Sequence, residues 1–252
     1  MKNTIEQSLG TTRHKNLYFK GDLPPAWEFE SYHIKLKNHI NQHINLNGNT
    51  YTINNLGYNS TFDYDQQLLE QDNILCLGDS NTFGLLLKKE LTWVNHLTNL
   101  VPAVGVLNLG LPGAGADTVT RIGVNTIMAL RERVRAVFVI WPPYLRREFA
   151  SIKFQSMVYK TPNNDEIVPY SEYWDLIDWK SNSYNFHKNK ILLSSVCQAN
   201  NIIYADLEIN YDDPFIKQDM VKSYGQEEYT TIGFDTHRAT ADYFYKKLNG
   251  NI

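Results

Sequence analysis

Residues Asn73–Gly84 read NILCLGDSNTFG. Ile74, Leu75, Cys76 and Leu77 form an unbroken apolar run, which suits a short strand buried on both faces. Gly78 ends the run. Asp79, Ser80 and Asn81, residue types that favour turns and helix N-caps, follow at once. A strand that stops at Gly-Asp-Ser sets its serine at the carboxyl end of a sheet, where open α/β folds place their ligands. Such a serine is either a helix cap or a nucleophile, and the turn by itself does not separate the two.

Beyond this stretch, apolar runs and helical spacing alternate. Leu91, Val94, Leu97 and Leu100 share one helical face. AVGVLNLG (103–110) reads as a second strand, followed by the loop LPGAGAD and an amphipathic helix over 116–134. AVFVIW (136–141) is a third strand, HKNKILLSSVCQAN (187–200) a helix, NIIYADL (201–207) a fourth strand, and GFDTHRATADYFYKKL (233–248) a closing helix. This βαβ alternation predicts an α/β fold in three α/β/α layers around a central parallel sheet. Upstream, TYTINNLGYNSTF (50–62) predicts an edge strand or hairpin leading into the core. Residues 1–50 are polar and irregular, and Pro24, Pro25 and Trp27 suggest an arm packed on a single domain spanning 51–252. His39 and His43 lie four apart in a stretch with helical character, where a solvated face outweighs a metal site. Residues 144–186 are an aromatic-rich insert, either a substrate wall or a satellite cluster on the scaffold.

The chain has 252 residues and a net charge of −3 with no basic stripe, which argues against a nucleic-acid partner. Cys76 and Cys197 sit in apolar surroundings without metal-ligand spacing and read as buried small hydrophobes. MKNTIEQSLG has no apolar signal-peptide core, and no apolar run approaches ~18 residues. The expectation is a cytoplasmic protein without a membrane span.

Ser80 needs a base to be a nucleophile. His237, at the mouth of the last helix with Asp235 two residues before it, is the candidate: the imidazole would take the proton and the carboxylate would orient it. The plainer reading makes Asp235 and Thr236 N-cap residues and His237 a surface histidine. Asp206, ending the fourth strand, is the second candidate carboxylate. GLPGAG (110–115) offers backbone amides suited to a phosphate or an oxyanion, and its glycine spacing is not the dinucleotide fingerprint.

Three blocks together resemble the GDSL/SGNH hydrolase superfamily of serine esterases and acyl-transfer enzymes: GDSNTFG (78–84), NLGLPGAG (108–115) and Asp235-Thr236-His237. The lead-in YTINNLGYN (51–59) is similar too, so the resemblance covers about residues 50–250. It implies a flavodoxin-like sheet, a Ser80–His237–Asp235 triad, an oxyanion hole of the Ser80 and Gly113 amides with Asn108, and no metal or cofactor. It further implies a small-molecule or glycan ester as substrate, plausibly an O-acetyl group, with Asn81, Tyr144 and Arg146 lining the site. One departure stands out. After its third strand the family supplies an asparagine to the oxyanion hole, and this chain reads WPPYLRREF (141–149). Asn81, Asn108, Tyr144 and Arg146 are the candidate replacements. Arg146 and Arg147 read either as binders of an acidic substrate or, with more weight, as surface ion-pair partners of Glu148 or a neighbour. A binding or structural module that keeps the fold without the chemistry, and an O-acyltransferase, are the alternatives.

Overall fold

The structure, a computed structural model, describes residues 29–30, 36–46, 48–64, 71–150, 154–157, 179–222 and 230–250. In chain order its main elements are β1 (Phe29–Glu30), β2 (Gln42–Leu46), β3 (Asn49–Ile53), β4 (Asn73–Gly78), α1 (Ser80–Phe83), α2 (Trp93–Leu100), β5 (Gly105–Gly110), α3 (Ala116–Leu130), β6 (Val134–Trp141), β7 (Arg147–Ala150), β8 (Phe154–Met157), α4 (Trp179–Ala199), β9 (Ile203–Glu208), α5 (Pro214–Asp219), β10 (Val221–Lys222), β11 (Thr230–Thr231) and α6 (Phe234–Leu248).

The four apolar runs form one parallel sheet in the order β5-β4-β6-β9. Strand β4 is central, and all six of its residues are buried, as a strand covered on both faces requires. Leu75, Leu77, Leu109, Val137, Val139 and Trp141 pack on one face with α3 and α4 residues such as Ile122, Leu193 and Cys197. Ile74, Cys76, Phe138 and Ile140 pack on the other with Trp93 and Leu97 of α2 and Phe244 of α6. The three-layer α/β/α expectation therefore holds, and both cysteines are buried and free.

Two stretches differ from expectation. Helix α4 begins at 179, within the expected aromatic insert. The inward stripe of its first half is largely polar: Asn182, Asn185 and Asn189 are buried beside Phe186, and Asn185 and Asn189 each donate to Asp117 Oδ1 at 2.9 Å. An asparagine stripe leaves no apolar periodicity to read. The insert's other described part is the β7–β8 hairpin, along which β1 runs parallel. The insert residues Tyr159, Tyr170, Tyr173 and Trp174, and Pro24, Pro25 and Trp27 of the arm, lie outside the described residues. The second difference is at His43, which is not helical. It sits in the β2–β3 hairpin opposite Thr52, with Nδ1 3.0 Å from Thr52 Oγ1. The Asn47-Gly48 pair between two alternating runs is the signal for this hairpin, and Gly48 has φ 78°. The hairpin also props the loop beyond α1. Tyr51 OH accepts the Leu86 amide at 2.8 Å, and Asn49 Nδ2 donates to the Leu86 carbonyl at 3.0 Å. Leu86 is thereby held at φ 68°, a strained value for a leucine.

Gly78 closes β4 with φ 153°, where a side chain is rarely accommodated. A Cβ there would lie 2.1 Å from Thr82 Oγ1 and 2.6 Å from the Ile140 carbonyl. Gly78→Ala is expected to lower stability by about 2–4 kcal/mol, the range for core overpacking with backbone strain. A urea melt against the parent checks this, and an unchanged midpoint would contradict the crowding.

Candidate active site

The carboxyl ends of β4, β5 and β6 bring three loops together. Gly78 lies in register with Gly110 and Ile140, so the turns after each strand are neighbours. The first turn is capped by Asp79, whose side chain accepts the Asn81 amide at 3.0 Å. Helix α1 spans four residues and is closed by Gly84 at φ 85°. Thr82 Oγ1 ties it back to the Leu77 carbonyl at 3.1 Å. Ser80 is the first residue of α1 and is partly exposed, unlike its buried neighbours Asp79 and Asn81. Its amide is the first unpaired donor of the helix. Gly113 is also partly exposed, with φ 85°, and among the described residues neither the Ser80 nor the Gly113 amide has a backbone acceptor.

Asp79 is the buried charge of the site, 1% exposed. Its Oδ2 receives Arg146 Nη1 at 2.6 Å, and its Oδ1 also accepts Asn81 Nδ2 at 3.1 Å. A buried carboxylate is tolerable only when paired and hydrogen-bonded, and Arg146 supplies the pairing. Of the ion-pair partners expected for Arg146 and Arg147, Glu148 or a neighbour, Glu148 serves neither. Arg146 pairs with Asp79. Glu148 is taken by Arg121 at 2.8 Å, and Arg147 Nε donates to Asn182 at 2.9 Å.

Asn81, expected to bind substrate, has all four hydrogen-bonding positions filled by the protein. Nδ2 donates to Asp79 Oδ1 and to Tyr211 OH (2.9 Å), and Oδ1 accepts Thr231 Oγ1 (2.9 Å) and the Ile232 amide (3.2 Å). It is a clamp joining the serine turn to the loop after β9 and to β11. Asn108, the tentative oxyanion donor, uses Oδ1 to accept the Gly110 amide at 3.0 Å, which bends the exit of β5. Tyr144 is 42% exposed on its loop and makes no hydrogen bond among the described residues.

The expected triad is not assembled in this structure. His237 is completely buried between α2 and α6, and its Nδ1 accepts the Trp93 amide at 2.9 Å. An accepting Nδ1 carries no proton, so the ring is the neutral Nε2–H tautomer, and Nε2 has no hydrogen-bond partner among the described residues. Neither nitrogen is bonded to Ser80 or to Asp235. Burial pushes the imidazole pKa down to about 3, with nearby His96 lowering it further and Asp219 opposing. In this position the ring stays neutral near pH 7, with Nδ1 committed to the Trp93 amide. Asp235 is exposed. The expected N-cap role is taken by Asp219, whose carboxylate accepts the Thr236 amide at 2.7 Å and the Asp235 amide at 3.3 Å. Asp206 lies on the opposite face of the sheet from His237, held by Trp141 Nε1 at 2.7 Å and by Lys190 of α4 at 2.9 Å. The physical reason is helical phase. His237 falls in the first full turn of α6 on the stripe with Ala241 and Phe244, which faces α2.

Sequence reasoning missed Tyr211 and Thr231. Tyr211 OH accepts from Asn81 and keeps its own proton to donate. Burial beside Asp79 pushes the phenol up to about 12. Only contacts across roughly half the chain make these two residues part of the site, and no local pattern signals them. No group of three metal-ligating side chains occurs among the described residues. No helix among them is long and apolar enough to cross a membrane.

No family model matches the chain, and no curated protein matches it in sequence. Solved structures do. The psychrotrophic esterase EstA from Pseudoalteromonas sp., in a structure inhibited by monoethylphosphonate, aligns at 12% identity and TM-score 0.43 over 71% of this chain and 98% of its own. A protein described as lipolytic and of the G-D-S-L family, from Desulfitobacterium hafniense, aligns at 13% identity and TM-score 0.40 over 70% and 99%. A member of the same lipolytic family from Veillonella parvula aligns at 14% identity and TM-score 0.35 over 69% and 95%. Two of these three solved structures are thus described as lipolytic proteins of the G-D-S-L family and the third as an esterase.

Proposed function

We propose that the chain is a serine ester hydrolase of low intrinsic turnover, with Ser80 as the nucleophile and small acyl esters, such as O-acetyl groups on a carbohydrate, as substrates. The observation that carries this reading is the placement of Ser80: a partly exposed hydroxyl on the carboxyl edge of the sheet, with its own amide and that of Gly113 left without backbone acceptors. Ser80 Oγ bonds to the carbonyl carbon, the carbonyl electron pair moves onto oxygen, and the two amides stabilise that charge. The alcohol leaves, and water then releases the acid from the acyl-serine. Without a positioned imidazole, the proton of Ser80 goes to solvent and the leaving alkoxide is protonated by solvent. A hydrolase stripped of a triad member keeps about 10³–10⁴-fold acceleration over water through binding and oxyanion stabilisation. That is the range expected here.

Esters of acidic phenols should therefore be cleaved far faster than alkyl esters, because no general acid assists departure. The pH–rate profile should rise with pH through 6–8 with no inflection, since no imidazole is hydrogen-bonded to Ser80 among the described residues. Initial rates with 4-nitrophenyl acetate from pH 5 to 9 check this, and a sigmoid centred near pH 6.5 would contradict it.

The burial of His237 favours a second reading, in which the fold binds an ester-bearing glycan without turning it over. Glycan binding with no Ser80 labelling by a fluorophosphonate would select it. Transfer of the acyl group to an added acceptor alcohol, in place of water, would select an acyltransferase.

A further inference from the structure

Arg146 stands between the two turns that the proposed mechanism uses. Its Nη1 reaches Asp79, the residue before Ser80, at 2.6 Å, and the carbonyl of Ala114, the residue after Gly113, at 3.4 Å. An arginine whose only task is to neutralise a carboxylate commonly does so with two parallel N–H bonds. Here a single nitrogen performs that task, because Asp79 Oδ1 is occupied by Asn81. Nε and Nη2 have no partner among the described residues, and the side chain is 20% exposed, so it is sheltered without being sealed. Tyr211 OH is joined to the same turn through Asn81 Nδ2, which donates to it at 2.9 Å.

We propose that Arg146 is a charged oxyanion donor of the Ser80 site, supplied by the loop after β6 and acting together with the Ser80 and Gly113 amides; this rests on the hydrolase reading of the site. As the Ser80 Oγ–carbon bond forms, the carbonyl oxygen gains a full negative charge, and the free edge of the guanidinium donates to it. No proton is transferred to or from Arg146, which stays a cation throughout. When the tetrahedral species collapses, the C=O bond reforms, the alkoxide leaves and takes its proton from water, and the guanidinium keeps only its resting bonds to Asp79 and the Ala114 carbonyl. An asparagine amide would give a neutral donor at such a point. The cation gives a stronger one, and Asp79 keeps it from being an unpaired buried charge in the resting site.

Arg146→Gln alone would strand the buried Asp79 carboxylate, so the test uses the neutral pair Asp79→Asn/Arg146→Gln, with Asp79→Asn and Arg146→Lys as companions. Folding of each is verified by circular dichroism and a urea melt. Phenylboronic acid, which becomes a tetrahedral anion on a serine hydroxyl, is titrated calorimetrically, and hydrolysis of 4-nitrophenyl acetate is measured alongside. The double variant is expected to lose at least about tenfold in boronate affinity and about 10²-fold in kcat with KM nearly unchanged, the signature of a donor used only in the transition state. Asp79→Asn, which keeps Arg146, should lose less boronate affinity than the double variant, and Arg146→Lys should retain part of it. Boronate affinity and kcat within about threefold of the parent in the folded double variant would overturn the proposal, as would a parent that binds no boronate. A parent that binds boronate in an Arg146-dependent way but shows no Ser80-dependent turnover would support the donor and overturn the hydrolase.

Discussion

Alanine at position 80 is expected to abolish covalent labelling by a fluorophosphonate and to remove the acyl-enzyme burst with 4-nitrophenyl acetate. The parent should gain the mass of a single phosphonyl adduct, and peptide mapping should place it on Ser80. The serine is the one hydroxyl that combines partial exposure, the carboxyl edge of the central strand and two neighbouring amides without backbone acceptors among the described residues. Its hydroxyl makes no hydrogen bond among them either, so its removal should leave the fold intact. Surface-like polar substitutions of that kind usually change stability by less than about 0.5 kcal/mol. A loss of labelling with an unchanged melt therefore reports chemistry. Equal labelling of Ser80→Ala would move the reactive group elsewhere and end the Ser80 reading.

His237 is expected to matter for stability much more than for rate. Were it the base, its loss would cost about 10⁴–10⁶-fold in turnover. As a buried acceptor for the Trp93 amide, its loss should instead appear in the melt. His237→Leu keeps the bulk and orphans that amide at the start of α2, for an expected penalty of about 1–3 kcal/mol. His237→Asn retains an acceptor at the same branch point and should recover part of this. Turnover should change by less than about tenfold in either. The pH dependence carries the same message. The folded-state pKa, about 3, lies below the unfolded value of about 6.5, so the unfolded chain binds the extra proton between those limits. Stability is full above pH 6.5 and declines as pH falls toward 3, with a slope from this group of about 1.4 kcal/mol per pH unit. His96, shifted down by burial and by Arg238, adds in the same direction. Urea melts at pH 7, 6, 5 and 4 check the slope, which His237→Leu should flatten.

The scaffold was legible because its signals are local. The runs around Leu75, Leu107 and Val137 are buried strands and the run around Ala205 is the partly exposed edge strand, and each falls where its apolar run puts it. The serine turn was legible for the same reason, since Gly78 and Asp79 satisfy local backbone needs that sequence displays. The partners of Ser80 were not. Whether Asp235 and His237 point into the edge or into the core depends on where α6 begins, and a start at Phe234 turns His237 toward α2. One residue of phase swings a helical side chain by about 100°. Arg146 was recognised as a candidate, but its partner Asp79 lies 67 positions away and only the fold pairs them. Tyr211 and Thr231 carry no local mark because their role is set by Asn81, 130 and 150 residues distant.

The mechanism turns on Ser80 working without His237. Two-dimensional ¹⁵N NMR of the imidazole rings, before and after phosphonylation of Ser80, decides whether it does. The expected result is a His237 ring that stays neutral with its proton on Nε2 from pH 8 to 5 and keeps its shifts when Ser80 is modified. A ring that titrates near pH 6–7 and moves on phosphonylation would place it in contact with the nucleophile and contradict this mechanism.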